Sequence, residues 1–166
     1  VKQKYKLFLT VGLLLAGSIL FLPRLPAITV SLIYTGTGLM DENFALLEEG
    51  DLIQLIYAGP DGQIDPPQLM NGMPGGDDVL WAGTTIDAAG DGGFTDVYNT
   101  ATVGAKVYVR FFNAGVMGQV SYYGLSALHT VQDLGGFDYW DMTAGGLYLW
   151  TEYPFIVVPE PETWLT

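Results

Sequence analysis

Apolar and polar residues alternate with a period of two along much of this chain, the pattern of strands that bury one face. In Ile28–Thr35, Ile28, Val30, Leu32 and Tyr34 share one side, Thr29, Ser31 and Thr35 take the other, and Ile33 is the exception. Leu52–Tyr57 is apolar on both sides apart from Gln54, as expected of a central strand. Lys106–Phe112 sets Val107, Val109 and Phe111 against Lys106, Tyr108 and Arg110, which predicts a second half-buried, amphipathic strand. Gln119–Tyr123, Gly146–Trp150 and Phe155–Val158 are further candidate strands. One helix is expected, Glu42–Glu49, with Asp41 as its N-cap and Gly50 as its stop.

Between these runs stand Gly59-Pro60-Asp61-Gly62, Asn71-Gly72-Met73-Pro74-Gly75-Gly76 and Gly90-Asp91-Gly92-Gly93. Glycine supplies positive φ and proline presets the second position of a turn, so these clusters are turns with a mechanism. Short strands separated by such turns predict an all-β fold, an antiparallel β-sandwich of jelly-roll or Ig-like type, in one domain over 28–156.

The first 27 residues have a different character. Lys2, Lys4 and Lys6 precede an apolar run, Leu7–Leu22, broken only by Thr10, Gly12, Gly17 and Ser18. Pro23 and Pro26 then end any helix, because proline lacks the amide donor and clashes with the preceding turn. This layout predicts a hydrophobic signal helix, with cleavage after the small residue Ala27 and a retained N-terminal anchor as the alternative.

Export changes the charge picture. Beyond residue 27 only Lys106 and Arg110 stand against eighteen acidic residues, a net charge of −16. Such a surface repels nucleic-acid phosphates, so nucleic acid is excluded as a partner, and it attracts cations. The chain has no cysteine, which removes disulfides, thiol catalysis and zinc–thiolate sites. Stability must come from burial alone.

The acidic loops carry the candidate chemistry. Asp61 and Asp65 flank Gly62, Asp77 and Asp78 are adjacent, and Asp87, Asp91 and Asp96 surround a glycine-rich bend. Calcium takes oxygen ligands from flexible loops, so calcium is the candidate metal, with Asp61, Asp65, Asp87, Asp91 and Asp96 as ligands. The spacing matches no EF-hand loop, and aspartate and glycine are also ordinary turn formers. Tyr122, Tyr123, Tyr139, Trp140, Tyr148 and Trp150 could furnish a sugar platform, although aromatic residues in sandwiches more often fill cores. His129 is the single histidine, and Ser126 lies three residues away with no nucleophile-elbow motif around it. No catalytic residues are assigned and no enzyme is expected. The weakest alternative is a secreted glycoside hydrolase that uses two aspartates.

The stretch Val158-Pro159-Glu160-Pro161-Glu162-Thr163-Trp164-Leu165 resembles the start of a PEP-CTERM sorting signal of exported Gram-negative proteins. Residues 157–166 are read as the first part of that signal. In that family a Val-Pro-Glu-Pro motif precedes a membrane-spanning segment and an arginine-rich tail, neither of which is in this sequence. The expectation is therefore a truncated signal. The resemblance implies Val158, Pro159, Glu160 and Pro161 as the sorting motif and exosortase, a membrane-embedded processing enzyme, as partner. It also implies transient contact with the inner membrane. The family is linked with exopolysaccharide and biofilm or floc matrix. The implied role is structural or adhesive, at the outer cell surface or in the extracellular matrix, with polysaccharide as a further partner. A carbohydrate-binding module, helped by calcium, is the alternative.

Overall fold

Burial alternates residue by residue along Thr29–Gly36, strand β1, with Val30, Leu32 and Tyr34 inside. The computed structural model to which β1 belongs describes residues 27–68, 71–146 and 149–155. The expected signal helix and the Val158–Pro161 motif lie outside the described residues. The remaining strands are β2 (Leu52–Tyr57), β3 (Val79–Thr85), β4 (Phe94–Thr102), β5 (Lys106–Phe112), β6 (Tyr122–Leu125), β7 (His129–Thr130), β8 (Phe137–Asp141) and β9 (Tyr153–Pro154).

They form two packed sheets, and the chain is an all-β sandwich. One sheet has the order β4-β1-β8 and the other β3-β2-β5-β6-β9, with β7 pairing the end of β5. Pairing is antiparallel as expected, with one departure: β8 runs parallel to β1, Ser31 facing Phe137 and Thr35 facing Asp141. Leu32 and Tyr34 from β1, Phe94 and Ala101 from β4, Ile53 and Leu55 from β2, and Val107, Val109 and Phe111 from β5 make the shared core. At one margin Trp81 of β3 stacks between Tyr57 of β2 and Tyr98 of β4, at 5.5 and 4.9 Å, and so ties the two sheets together.

The larger sheet is covered on its outer face as well. There Ile56, Ala58 and Tyr108 are buried with Ile64 and Leu80 against them, and Phe112, Val120, Tyr123 and Phe155 form a further cluster. The cover includes the β2–β3 connection, in which Pro67, Gly72 and Pro74 are buried. This corrects the expectation for β5. Its alternation is as read, yet Tyr108 and Arg110 are fully buried instead of meeting solvent.

The helix expected over Glu42–Glu49 is replaced by a turn and a short bridge, Met40 to Leu46. Asp41 does cap, since its Oδ1 accepts from the amides of Asn43 and Ala45, both at 2.8 Å. However, Phe44 adopts φ 63°, a left-handed conformation that a right-handed helix cannot continue through. The three further strand expectations fare as follows. The first part of Gln119–Tyr123 belongs to a 3-10 turn, Met117–Gln119, and the strand starts at Tyr122. Gly146 lies in a turn, Trp150 makes an isolated bridge to Met40, and 147–148 lie outside the described residues. Phe155 follows β9, and the rest of the expected strand Phe155–Val158, 156–158, lies outside the described residues.

Candidate metal centre

The β2–β3 connection brings three carboxylates together above the outer face of β5. Asp65, Asp77 and Asp78 each offer an oxygen within 4.8 Å of the others, the one group of three such ligands among the described residues. The backbone helps to gather them. The amide of Asp77 donates to Asp65 Oδ2 at 3.2 Å, and the amide of Asp65 donates to Asp78 Oδ2 at 2.9 Å. Two glycines make room: a side chain at Gly59 would run into the Asp77 carboxylate, and one at Gly76 into that of Asp65. Both have φ 54°, which favours glycine independently of space.

Beneath the carboxylates a polar chain enters the sheet. Arg110 Nη2 donates to the carbonyl of Asp65 at 2.7 Å and to the Tyr108 hydroxyl at 2.9 Å. Tyr108 in turn donates to Asp78 Oδ2 at 2.6 Å. The donors run in one direction, from guanidinium to phenol to carboxylate, so Asp78 ends the chain as an acceptor. The guanidinium also sits 5.6 and 5.5 Å from the ring centroids of Tyr108 and Tyr123. That geometry attracts a desolvated cation to the ring face.

The network leaves groups unmatched. Arg110 is fully buried, yet among the described residues its Nε and Nη1 have no partner, and neither does Gln54 Oε1, whose residue faces Arg110 directly across β2 and β5. Asp78 is 8% exposed and its Oδ1 has no partner among the described residues. Burial pushes the Asp78 carboxyl above its usual range, against the opposing pull of the Tyr108 hydroxyl, and the nearby Asp65 adds to the rise. Burial likewise lowers Arg110 and raises the phenols of Tyr108 and Tyr123. Lys106, the other basic residue of this part of the chain, passes Gly62 at the edge of the same loop.

Of the sequence-predicted ligands, the structure brings Asp65 into this group and leaves the other four outside it. Asp61 Oδ1 accepts from the amide of Gln63, and Asp87 Oδ1 from that of Ala89, each holding a local turn. Asp96 accepts from the Tyr34 hydroxyl at 2.8 Å and from the amide of Val97. Asp91 is exposed in the bend, where its carbonyl accepts from Gly38. Asp77 and Asp78, noted only as adjacent acids, are the partners of Asp65 instead. A signal for them was available: residues 58–78 are too long for a simple turn and carry acids near both ends. A lone arginine within an apolar strand was a second signal, since a buried cation needs acceptors.

The other candidates are satisfied locally. His129 Nε2 lies 2.7 Å from Asp138 Oδ2, which also accepts from the Gln132 amide, and its ring stacks on Trp140 at 4.8 Å. Ser126 Oγ donates to the carbonyl of Ala127 and accepts from the Val109 amide, so its hydroxyl is committed to the β5–β6 edge. Among the described residues, no two of the candidate platform aromatics stack on each other. Tyr123 is buried against Phe112 and Phe155, Trp140 covers His129, and Trp150 pairs with Phe44 at 5.8 Å. Tyr148 lies outside the described residues. No protein-family model, curated protein or solved structure matches this chain.

Proposed function

We propose that this chain is an exported, exosortase-sorted β-sandwich with a structural or adhesive role in a polysaccharide-rich matrix at the cell surface. The observation that carries the reading is the arrangement of three parts. A leader-like apolar run comes first, a sandwich held by burial without cysteine follows, and a Val158-Pro159-Glu160-Pro161 stretch comes after it. Two prolines around Glu160 forbid helix and fix φ, which suits an extended handle for a processing enzyme. The sandwich supports a non-enzymatic role in that its histidine and the neighbouring serine are both engaged in local hydrogen bonds. An acidic exterior supports solvation in a hydrated matrix.

The test is expression of the gene, with an epitope inside the exposed bend Ala88–Gly90, in a Gram-negative host with and without exosortase. Surface epitope is expected to depend on exosortase and to fall at least tenfold in a Pro159→Ala/Pro161→Ala variant. Equal surface display in all three strains overturns the sorting reading.

A carbohydrate-binding module is the second reading. It is favoured by the Phe44–Trp150 ring pair, both of whose members are exposed. Binding on a glycan array that is lost in Trp150→Ala supports it, and silence of the parent protein on the array counts against it.

A further inference from the structure

The geometry points to a divalent-cation site, with calcium as its ion, formed by Asp65, Asp77 and Asp78 on the β2–β3 connection. Proximity of acids alone would carry little, since exposed acidic groups often cluster without an ion. The second observation is Asp78 itself. It is more than nine-tenths buried, one of its oxygens is consumed by Tyr108 and the Asp65 amide, and the other is sealed from solvent with no donor to meet it among the described residues. A buried carboxylate oxygen without a donor is costly, and coordination is one of the few ways to offset it. No lysine, arginine or histidine lies within ion-pair distance of these carboxylates among the described residues.

Dimensions and charge agree with calcium. Oxygens on one calcium ion stand at most about 5 Å apart, given metal–oxygen distances near 2.3–2.6 Å. The three carboxylates fall within 4.8 Å of one another. Three carboxylates against the Arg110 guanidinium leave two negative charges uncancelled, which a divalent cation balances. Burial increases from Asp77, exposed, through Asp65 to Asp78, so the ion would enter from the Asp77 side. Magnesium demands a tighter octahedron and gives up its water reluctantly, whereas a loop-borne oxygen set with an open side suits calcium, the remaining positions going to water. Bound there, the ion would pin the first half of the 58–78 loop, at Asp65, to its C-terminal end and hold the cover over Tyr108 and Arg110. This inference is independent of the sorting reading.

The experiment is calorimetric titration of the chelator-treated full chain with calcium chloride, with thermal melts at matched ionic strength. A hundredfold excess over Kd is expected to raise Tm by on the order of 5–10 °C. Asp77→Asn removes an exposed ligand without touching a buried hydrogen bond, and it should weaken calcium binding at least tenfold. Asp61→Asn, outside the cluster, should bind as the parent does. Absence of both binding heat and Tm shift at 10 mM calcium overturns the site. So does a shift that magnesium reproduces in full and Asp77→Asn retains, because that behaviour is bulk screening of an acidic surface.

Discussion

Tyr108 joins the only fully buried cation described in the sandwich to its most buried loop carboxylate. Tyr108→Phe keeps the ring and removes both hydrogen bonds, leaving Asp78 Oδ2 with one donor and Arg110 Nη2 with one acceptor. It should cost about 1–3 kcal/mol, read as a lower urea midpoint at unchanged slope. Asp78 also predicts a pH dependence. Its carboxyl is raised by burial, so the folded state holds the proton more tightly than the unfolded chain does. Stability from this group is therefore present below the ordinary carboxylate range and is lost as pH rises through the raised value. The groups facing it are Asp65, Asp77, Tyr108 and Arg110, with Lys106 of β5 farther off against Gly62. In chelator, the stability of the parent relative to Asp78→Asn should decline from pH 4 to pH 7, and calcium should flatten that decline. Urea midpoints across this range check the sign, and a parent that gains on the variant with rising pH in chelator would refute it.

At the scale of elements, β1, β2 and β5 were legible because they are apolar on both faces or alternate, with Gln54 and Ile33 as single exceptions. The edge strands were not. β3, β4 and β8 lie at sheet margins, and β4 carries Asp96, Asn99 and three threonines because one of its faces is wet. A strand with a solvated face and no buried partner on one side leaves only a weak period-two signal. The misread helix has a different cause. Asp41 caps a turn as well as it caps a helix, and the bridge from Met40 to Leu46 and Trp150 offered the backbone another set of partners. The marginal element to test is the Tyr57–Trp81–Tyr98 stack. Trp81→Ala removes ring contacts to both sheets at once and, at a half-buried position, should cost about 2–3 kcal/mol. A lower Tm together with loss of near-ultraviolet circular dichroism would fit, while a neutral substitution would mean that the core alone joins the sheets.

For the whole molecule, composition and periodicity by themselves determined the class: an acidic, cysteine-free β fold whose β1, β2 and β5 are each marked by their own residues. Period-two burial is a local property of a strand, so it can be read locally. The sequence also determined that the loops would be rich in glycine, proline and aspartate, and that any metal would meet carboxylate oxygen. What only the tertiary structure decided is which surfaces became interior and which acids met. Lys106, Tyr108 and Arg110 share a face, but that face is covered from Tyr108 onward because the 58–78 loop folds back over it. Asp65 meets Asp77 and Asp78, twelve and thirteen residues on, while the neighbouring Asp61 turns to its own loop. Loop closure depends on the packing of Ile64 against Ile56, Ala58 and Tyr108, in a sheet assembled from distant segments, and no spacing rule within the loop encodes it.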